Sequence, residues 1–393
     1  MESTGFGRLF KSARLLSPSP GTPGEGWGGG FDRAASIAKI YVIPRTPTLP
    51  SPGVPGEGKK AASQKGAHMK QPIDSHLTTP SRRIFLQSCA AAALAGAVSR
   101  AADAPLRQPT VPPAKRETRT PRVKLPAGTC DCHAHIFGPQ TQYPYIADAA
   151  YIPPDQTLDD YVRVHKTLGV DRGVLVQPSV YGTDHSAMIA AMKSGKFNFR
   201  GVAVTAPDVT AKQIEEFHQI GFRGIRINLA SKNRGLSFED ASKLAQLIKP
   251  LGWHLQFFAN VKSIAAVENR FVALPVNLVI DHFGVIDASA GLESPEFKIL
   301  LRLLERPNVW MKLSGPYHIS KQAPLAPDVT PFVHRITATA PDRLVWGTDW
   351  PHPTAAWMPD DADLVDMLAD WIPDEALRKR ILVDNPARLY QFA

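Results

Sequence analysis

The sequence predicts an α/β protein, a (β/α)8 TIM barrel preceded by a disordered leader. Three observations carry this. From residue 126 onward, eight short β-branched or apolar runs alternate with amphipathic stretches of helical period, the order that gives parallel strand pairing. These units span roughly 265 residues, the size at which such a barrel closes. The competing doubly wound sheet would place a glycine-rich phosphate loop after its first strand, and none is present.

The chain opens on a segment that cannot bury a core. Fifteen of the 36 prolines precede residue 126, and SPGTPGEG at 19–26 recurs as SPGVPGEG at 51–58. Residues 1–68 read as disordered, or as translation from a start upstream of Met69. From Met69 the pattern is that of an export signal: Ser81-Arg82-Arg83-Ile84-Phe85-Leu86-Gln87 resembles a twin-arginine motif, an alanine-rich run follows from Cys89 to Val98, and Ala102-Asp103-Ala104 offers a cleavage site before Pro105. That run is about ten residues, half of what spans a bilayer. The signal peptide is thus expected over 69–104, with a periplasmic or exported product and a cytoplasmic location as the alternative. Residues 105–125 read as a solvated linker, and the barrel as 126–393.

The net charge of +9 belongs to these leading segments. Residues 1–104 hold 13 basic and 6 acidic side chains, whereas 126–393 hold 26 basic and 29 acidic. A nearly neutral body gives no footprint for nucleic acid.

Within the barrel the strand runs fall at 129–136, 172–178, 199–205, 223–229, 253–259, 276–283, 309–314 and 344–350. The helical stretches between them include 157–168, 211–220, 239–250, 261–273, 294–306 and 330–340, with Gly, Pro-Asp and Asn-Pro marking the turns. Period-2 alternation in the first run places Asp131, His133 and His135 on one face and Cys130 and Cys132 on the other. Two cysteines so placed point in parallel, poor geometry for a disulfide.

Barrel chemistry sits where strands end at the C-terminal face. Those ends carry His133 and His135, Gln177 and Ser179, Arg226 and Asn228, Gln256, His282, Lys312 and Ser314, and Asp349. Taken alone, Lys312 reads as a solvated strand end. As a set, three histidines and an aspartate converging on one face are an acid–base constellation.

The stretches AGTCDCHAHIFGP (127–139), VQPSVYGTD (176–184), GFRGIRINL (221–229), DHFG (281–284), KLSGPY (312–317), WGTDWPHP (346–353) and DNPARLY (384–390) resemble the amidohydrolase superfamily, and within it the lactone-processing members, pyrone-dicarboxylate lactonases among them. The resemblance implies that His133, His135, His282 and Asp349 are the catalytic set and that a lactone is hydrolysed or isomerised; the expected reaction is hydrolytic ring opening, with Asp349 as general base on water and the three histidines polarising the carbonyl. It implies substrate contacts from Arg226, Ser179 and Tyr151, and strand-end geometry adds Gln256, Asn228 and Ser314. Metal-dependent members supply a further histidine from strand five, where this chain has Gln256. Metal-free chemistry is therefore favoured; a single Zn²⁺ would rest on His133, His135 and Asp349.

Val285 and His318 stand where pyrone-dicarboxylate lactonases have arginines. The expected substrate is therefore a small lactone with one acidic group, such as a sugar-acid lactone or a muconolactone-like ring. Arg234, in the loop after strand four, is the next cation within reach. The alternatives are an aldarate-type lactone isomerase and a metal-dependent amidohydrolase or decarboxylase. No nucleic acid and no membrane beyond export is expected as a partner, and a homo-oligomer is left open.

Overall fold

The computed structural model describes residues 109–230 and 235–393; the leader, the export signal and Arg234 lie outside the described residues. The strands are β1 (Cys130–Ala134), β2 (Arg172–Val176), β3 (Asn198–Ala203), β4 (Phe222–Asn228), β5 (His254–Phe258), β6 (Asn277–Ile280), β7 (Val309–Ser314) and β8 (Leu344–Gly347). They form one sheet in sequence order, each pair parallel. The sheet closes just past β8, where Asp349 N donates to His133 O at 2.8 Å and His135 N to Trp350 O at 2.8 Å. The expected barrel is the observed one.

The helices are α1 (Leu158–Leu168), α2 (Ser186–Lys193), α3 (Ala211–Ile220), α4 (Ala241–Ile248), α5 (Val261–Ala265), α6 (Glu268–Val272), α7 (Pro295–Leu304), α8 (Thr330–Thr339), α9 (Asp361–Trp371), α10 (Glu375–Lys379) and α11 (Asn385–Tyr390). Local chemistry sets their ends. Thr157 opens α1 in a capping box with Asp160, and Gly169 closes it at φ 81. The single helix expected over 261–273 is two, α5 and α6. Among the described residues no helix is long and apolar enough to cross a membrane.

Because both sheet faces are covered, the strands read as apolar runs with two distinct cores. Leu175, Ile225, Leu255, Leu278 and Met311 face the helices. Cys130, Cys132, Val174, Val202, Val279 and Val345 fill the barrel interior, where Leu389, Tyr390 and Phe392 of the C-terminal segment join them. Both cysteines are free and buried, as their spacing suggested.

Two expectations need correcting. The alternation of β1 breaks, because its register with β2 shifts between Asp131 and Ala134. Asp131 therefore does not share a face with the two histidines of the site: it accepts from His165 Nε2 of α1 at 2.7 Å and from Thr348 Oγ1 at 2.6 Å, on the helix side of the wall. The described part of the supposed linker, 109–125, is docked onto the barrel. Thr118 Oγ1 donates to Asp360 at 2.6 Å, and Arg119 and Arg122 both pair with the buried Asp366 of α9. Lys115, Arg119 and Arg122 pair with Asp360, Asp363 and Asp366, so part of the charge that looked solvated in the sequence is paired in the fold.

Candidate active site

The strand ends meet around Asp349. Its backbone is held at φ 63, and that of His282 at φ 48, conformations side-chain-bearing residues seldom adopt and which cluster at functional sites. Asp349 Oδ1 faces three imidazoles: His135 Nε2 at 3.5 Å, His133 Nε2 at 3.6 Å and His282 Nε2 at 3.9 Å. Its Oδ2 turns the other way, accepting from Tyr317 OH at 2.8 Å and facing His318 Nε2 at 3.1 Å. Close approach of β1 and β8 requires Gly347, since a Cβ there would lie 2.6 Å from the His133 backbone nitrogen.

Each histidine is oriented from behind. His135 Nδ1 lies 2.7 Å from Val176 O, a carbonyl that only accepts, so Nδ1 carries a proton and the ring is held with Nε2 toward Asp349. His282 Nδ1 is held by Ser314 Oγ at 2.9 Å. His133 Nδ1 lies 3.4 Å from both Asp281 Oδ1 and Lys312 Nζ.

Lys312 is the clearest departure from the sequence reading. It is fully buried, not a solvated strand end, and donates to Cys132 O at 2.9 Å and Gln256 Oε1 at 2.7 Å. Asp281 balances it at 3.6 Å and also accepts from Arg226 Nε at 3.2 Å and Gln256 Nε2 at 3.0 Å. A buried charge is tolerable only when so compensated.

This charge pattern sets the protonation states. Burial, aided by the Lys312 ammonium, pushes His133 down to about 3. Burial also holds His282 well below the usual imidazole range. For Asp349 burial alone would act upward, but His282, His135, His318 and His133 hold its carboxyl well below the usual carboxylate range. Lys312, His133 and Arg226 do the same for Asp281 against its own burial. At neutral pH the centre is an ionised carboxylate facing the neutral imidazoles of His133 and His282.

A cavity of about 220 Å³ is lined by Ser179, Thr183, Gln177, Arg226 and Asn228 among others, and its Arg226 is tied to the centre through Asp281. Three of the expected substrate contacts, Arg226, Ser179 and Asn228, thus share one wall. The other three lie elsewhere. Gln256 is fully buried with both amide ends engaged, Ser314 is spent on His282, and Tyr151 packs in an aromatic cluster with Phe137 and Tyr181. Sequence reasoning did not single out Asp281, Tyr317, His352 or Asp361. Asp281 was legible as the neighbour of His282; the others sit on loops or a helix start, where periodicity gives no signal.

The set also fits a metal ion. Donor atoms of His133, His282 and Asp349 lie within 4.8 Å of one another, and the buried His133 Nε2 has no hydrogen-bond partner. Three convergent lone-pair donors suit one divalent cation. His282, not His135, completes that trio.

Residues 130–392 match the amidohydrolase family. Over 274 residues the chain is 36% identical to 4-sulfomuconolactone hydrolase of Hydrogenophaga intermedia, covering 68% of this chain and 90% of that protein. It is 37% identical over 281 residues to the 2-pyrone-4,6-dicarboxylate hydrolase of Comamonas testosteroni, covering 69% and 92%. D-galactarolactone isomerase of Agrobacterium fabrum is 29% identical over 279 residues, with 70% and 94% covered.

Proposed function

The chain belongs to the amidohydrolase family, and we propose that it hydrolyses the ring of a small lactone bearing one acidic group. The observation that supports this best is the convergence of Asp349 Oδ1 on three imidazole Nε2 atoms, with Arg226 of the cavity wall tied to the same centre through Asp281. A water molecule held at Asp349 Oδ1 would give its proton to that carboxylate, leaving its oxygen lone pair free to attack. His135 keeps the carbonyl-polarising role expected of it, its Nε2 lying 3.5 Å from Asp349 Oδ1.

The chemistry is then acyl transfer to water. The water oxygen bonds to the ring carbonyl carbon while its proton passes to Asp349. His133, His135 and His282 orient the carbonyl and stabilise the developing oxyanion; deleting one such donor costs about 3–4 kcal/mol in other enzymes. The ring C–O bond breaks, and Asp349 returns its proton to the leaving oxygen, giving a hydroxyl and a carboxylic acid that releases its remaining proton to solvent as it ionises. Arg226 grips the acidic substituent. A divalent cation held by His133, His282 and Asp349 would supply Lewis-acid polarisation of the same carbonyl.

Reaction in ¹⁸O-labelled water tests the reading. Hydrolysis puts one label into the new carboxylate. An isomerase, the reading that the galactarolactone relative favours, uses a substrate hydroxyl as nucleophile and returns an unlabelled lactone. Unlabelled product would therefore replace hydrolysis with isomerisation.

A further inference from the structure

We propose that Asp361, His352 and Tyr317 form a positioning chain that fixes which oxygen of Asp349 faces the histidines; this rests on reading Asp349 as the water-activating group. The chain follows from counting protons. An ionised carboxylate only accepts, so the Tyr317 hydroxyl, 2.8 Å from Asp349 Oδ2, donates to it. That hydroxyl has one proton, so toward His352 Nδ1 at 3.0 Å it can only accept. His352 therefore carries a proton on Nδ1. On its other side, His352 Nε2 lies 3.2 Å from Asp361 Oδ1, and neither atom has another hydrogen-bond partner. Two bare acceptors at that distance would repel. A single proton shared between them completes the line.

The geometry suits orientation, not substrate contact. Tyr317, His352 and Asp361 are 3%, 1% and 1% exposed, and Tyr317 meets Asp349 at Oδ2, the oxygen turned away from the three imidazoles. The far end is anchored: Asp361 opens α9, where Asp360 caps Ala362 N and Thr118 Oγ1 accepts from the same N–H at 3.0 Å. The near end has something to hold. Asp349 splits its oxygens, Oδ1 to the three imidazoles and Oδ2 to Tyr317 and His318, and rotation about its carboxyl bond would take Oδ1 off the imidazoles. Misplacing a reacting group by about 1 Å can cost on the order of a hundredfold in rate.

Two measurements on the full chain test this. In the first, kcat and KM are compared for Tyr317→Phe, His352→Phe and the double variant. Each single change lowers kcat about tenfold or more, with KM within about twofold, and the double variant is no slower than the slower single one, because His352 acts only through Tyr317. Asp361→Asn keeps most of the rate, since its amide N–H can donate to His352 Nε2 and preserve the Nδ1 proton; Asp361→Leu does not. Should His352→Phe fail to fold, this Asp361 pair reads the chain one link further out. Multiplying effects, or a fall in Tm with kcat unchanged, would overturn the proposal. The second measurement needs no substrate. In protein labelled with ¹⁵N-histidine, His352 gives a protected Nδ1–H resonance that shifts in Tyr317→Phe. Absence of that resonance, or its indifference to Tyr317, overturns the chain. If the wild type opens no lactone, the lactonase reading fails while the resonance still decides the chain.

Discussion

Arg226→Lys separates charge from geometry at the substrate wall. Arg226 is 6% exposed; its Nε is committed to Asp281 Oδ2 at 3.2 Å, and its guanidinium lies over the Phe258 ring at 5.0 Å. With one of five N–H donors spent, the two terminal nitrogens are left to grip a carboxylate as a fork. A lysine keeps the charge but offers a single point, and the Asp281 carboxylate beside it competes for its ammonium. Losing one charge-assisted bond of the pair costs about 1.4 kcal/mol after relaxation, a tenfold rise in KM. The assay compares an acidic lactone with its neutral methyl ester. The acid loses about tenfold in kcat/KM while the ester changes within about twofold, so discrimination between them narrows. Equal losses for acid and ester, or none for the acid, would refute the assignment of Arg226 to the acidic group.

Three further outcomes follow from the buried charges and the docked segment. Lys312→Met strands Asp281 in the barrel with Arg226 as its remaining buried cation among the described residues, and should destabilise the fold by about 3–5 kcal/mol in chemical denaturation. A change under 1 kcal/mol would mean that the charges are not coupled. His254 and His185 are pushed by burial to about 3 and about 4. Each stays neutral when folded but takes up a proton below about 6.5 when unfolded. Stability is therefore complete above pH 6.5 and falls as pH drops toward 4, by about 1.4 kcal/mol per pH unit for each group. A Tm flat between pH 6.5 and 4.5 would contradict this. A chain starting at Pro105 should match the full chain in Tm and activity. One starting at Pro126 loses the Arg119 and Arg122 pairs to Asp366, and about 1 kcal/mol should appear as a fall of about 2–4 °C in Tm.

The strands were legible because a parallel sheet covered on both faces concentrates apolar residues into short runs, and β7 shows how far that goes. Its boundaries, Val309–Ser314, match the sequence reading, yet the same pattern misled about Lys312. A lysine at an inward-facing position looks like a strand end meeting water until Asp281 and Gln256, from two other strands, are seen around it. Asp131 shows the complementary failure. Alternation assigned it to the site, but a register shift beyond it turned the following histidines inward. The chemistry-bearing ends His133, His135, His282 and Asp349 were recognisable because barrels place function there. The groups that orient Asp349 were not, because Tyr317 and His352 lie in loops and meet only in three dimensions. Contacts between 118–122 and α9 join residues more than 240 positions apart, a separation across which sequence pattern carries no information.

The central claim is that Asp349 activates the attacking water, and Asp349→Asn tests it most directly. The amide keeps the shape and the Tyr317 contact but cannot take a proton. Steady-state kinetics on an acidic lactone that the wild type opens, with and without added Zn²⁺, should show kcat lowered at least ~10²-fold and KM little changed, and added Zn²⁺ should not restore the rate. Wild-type kcat in Asp349→Asn, or recovery on adding Zn²⁺, would contradict the account.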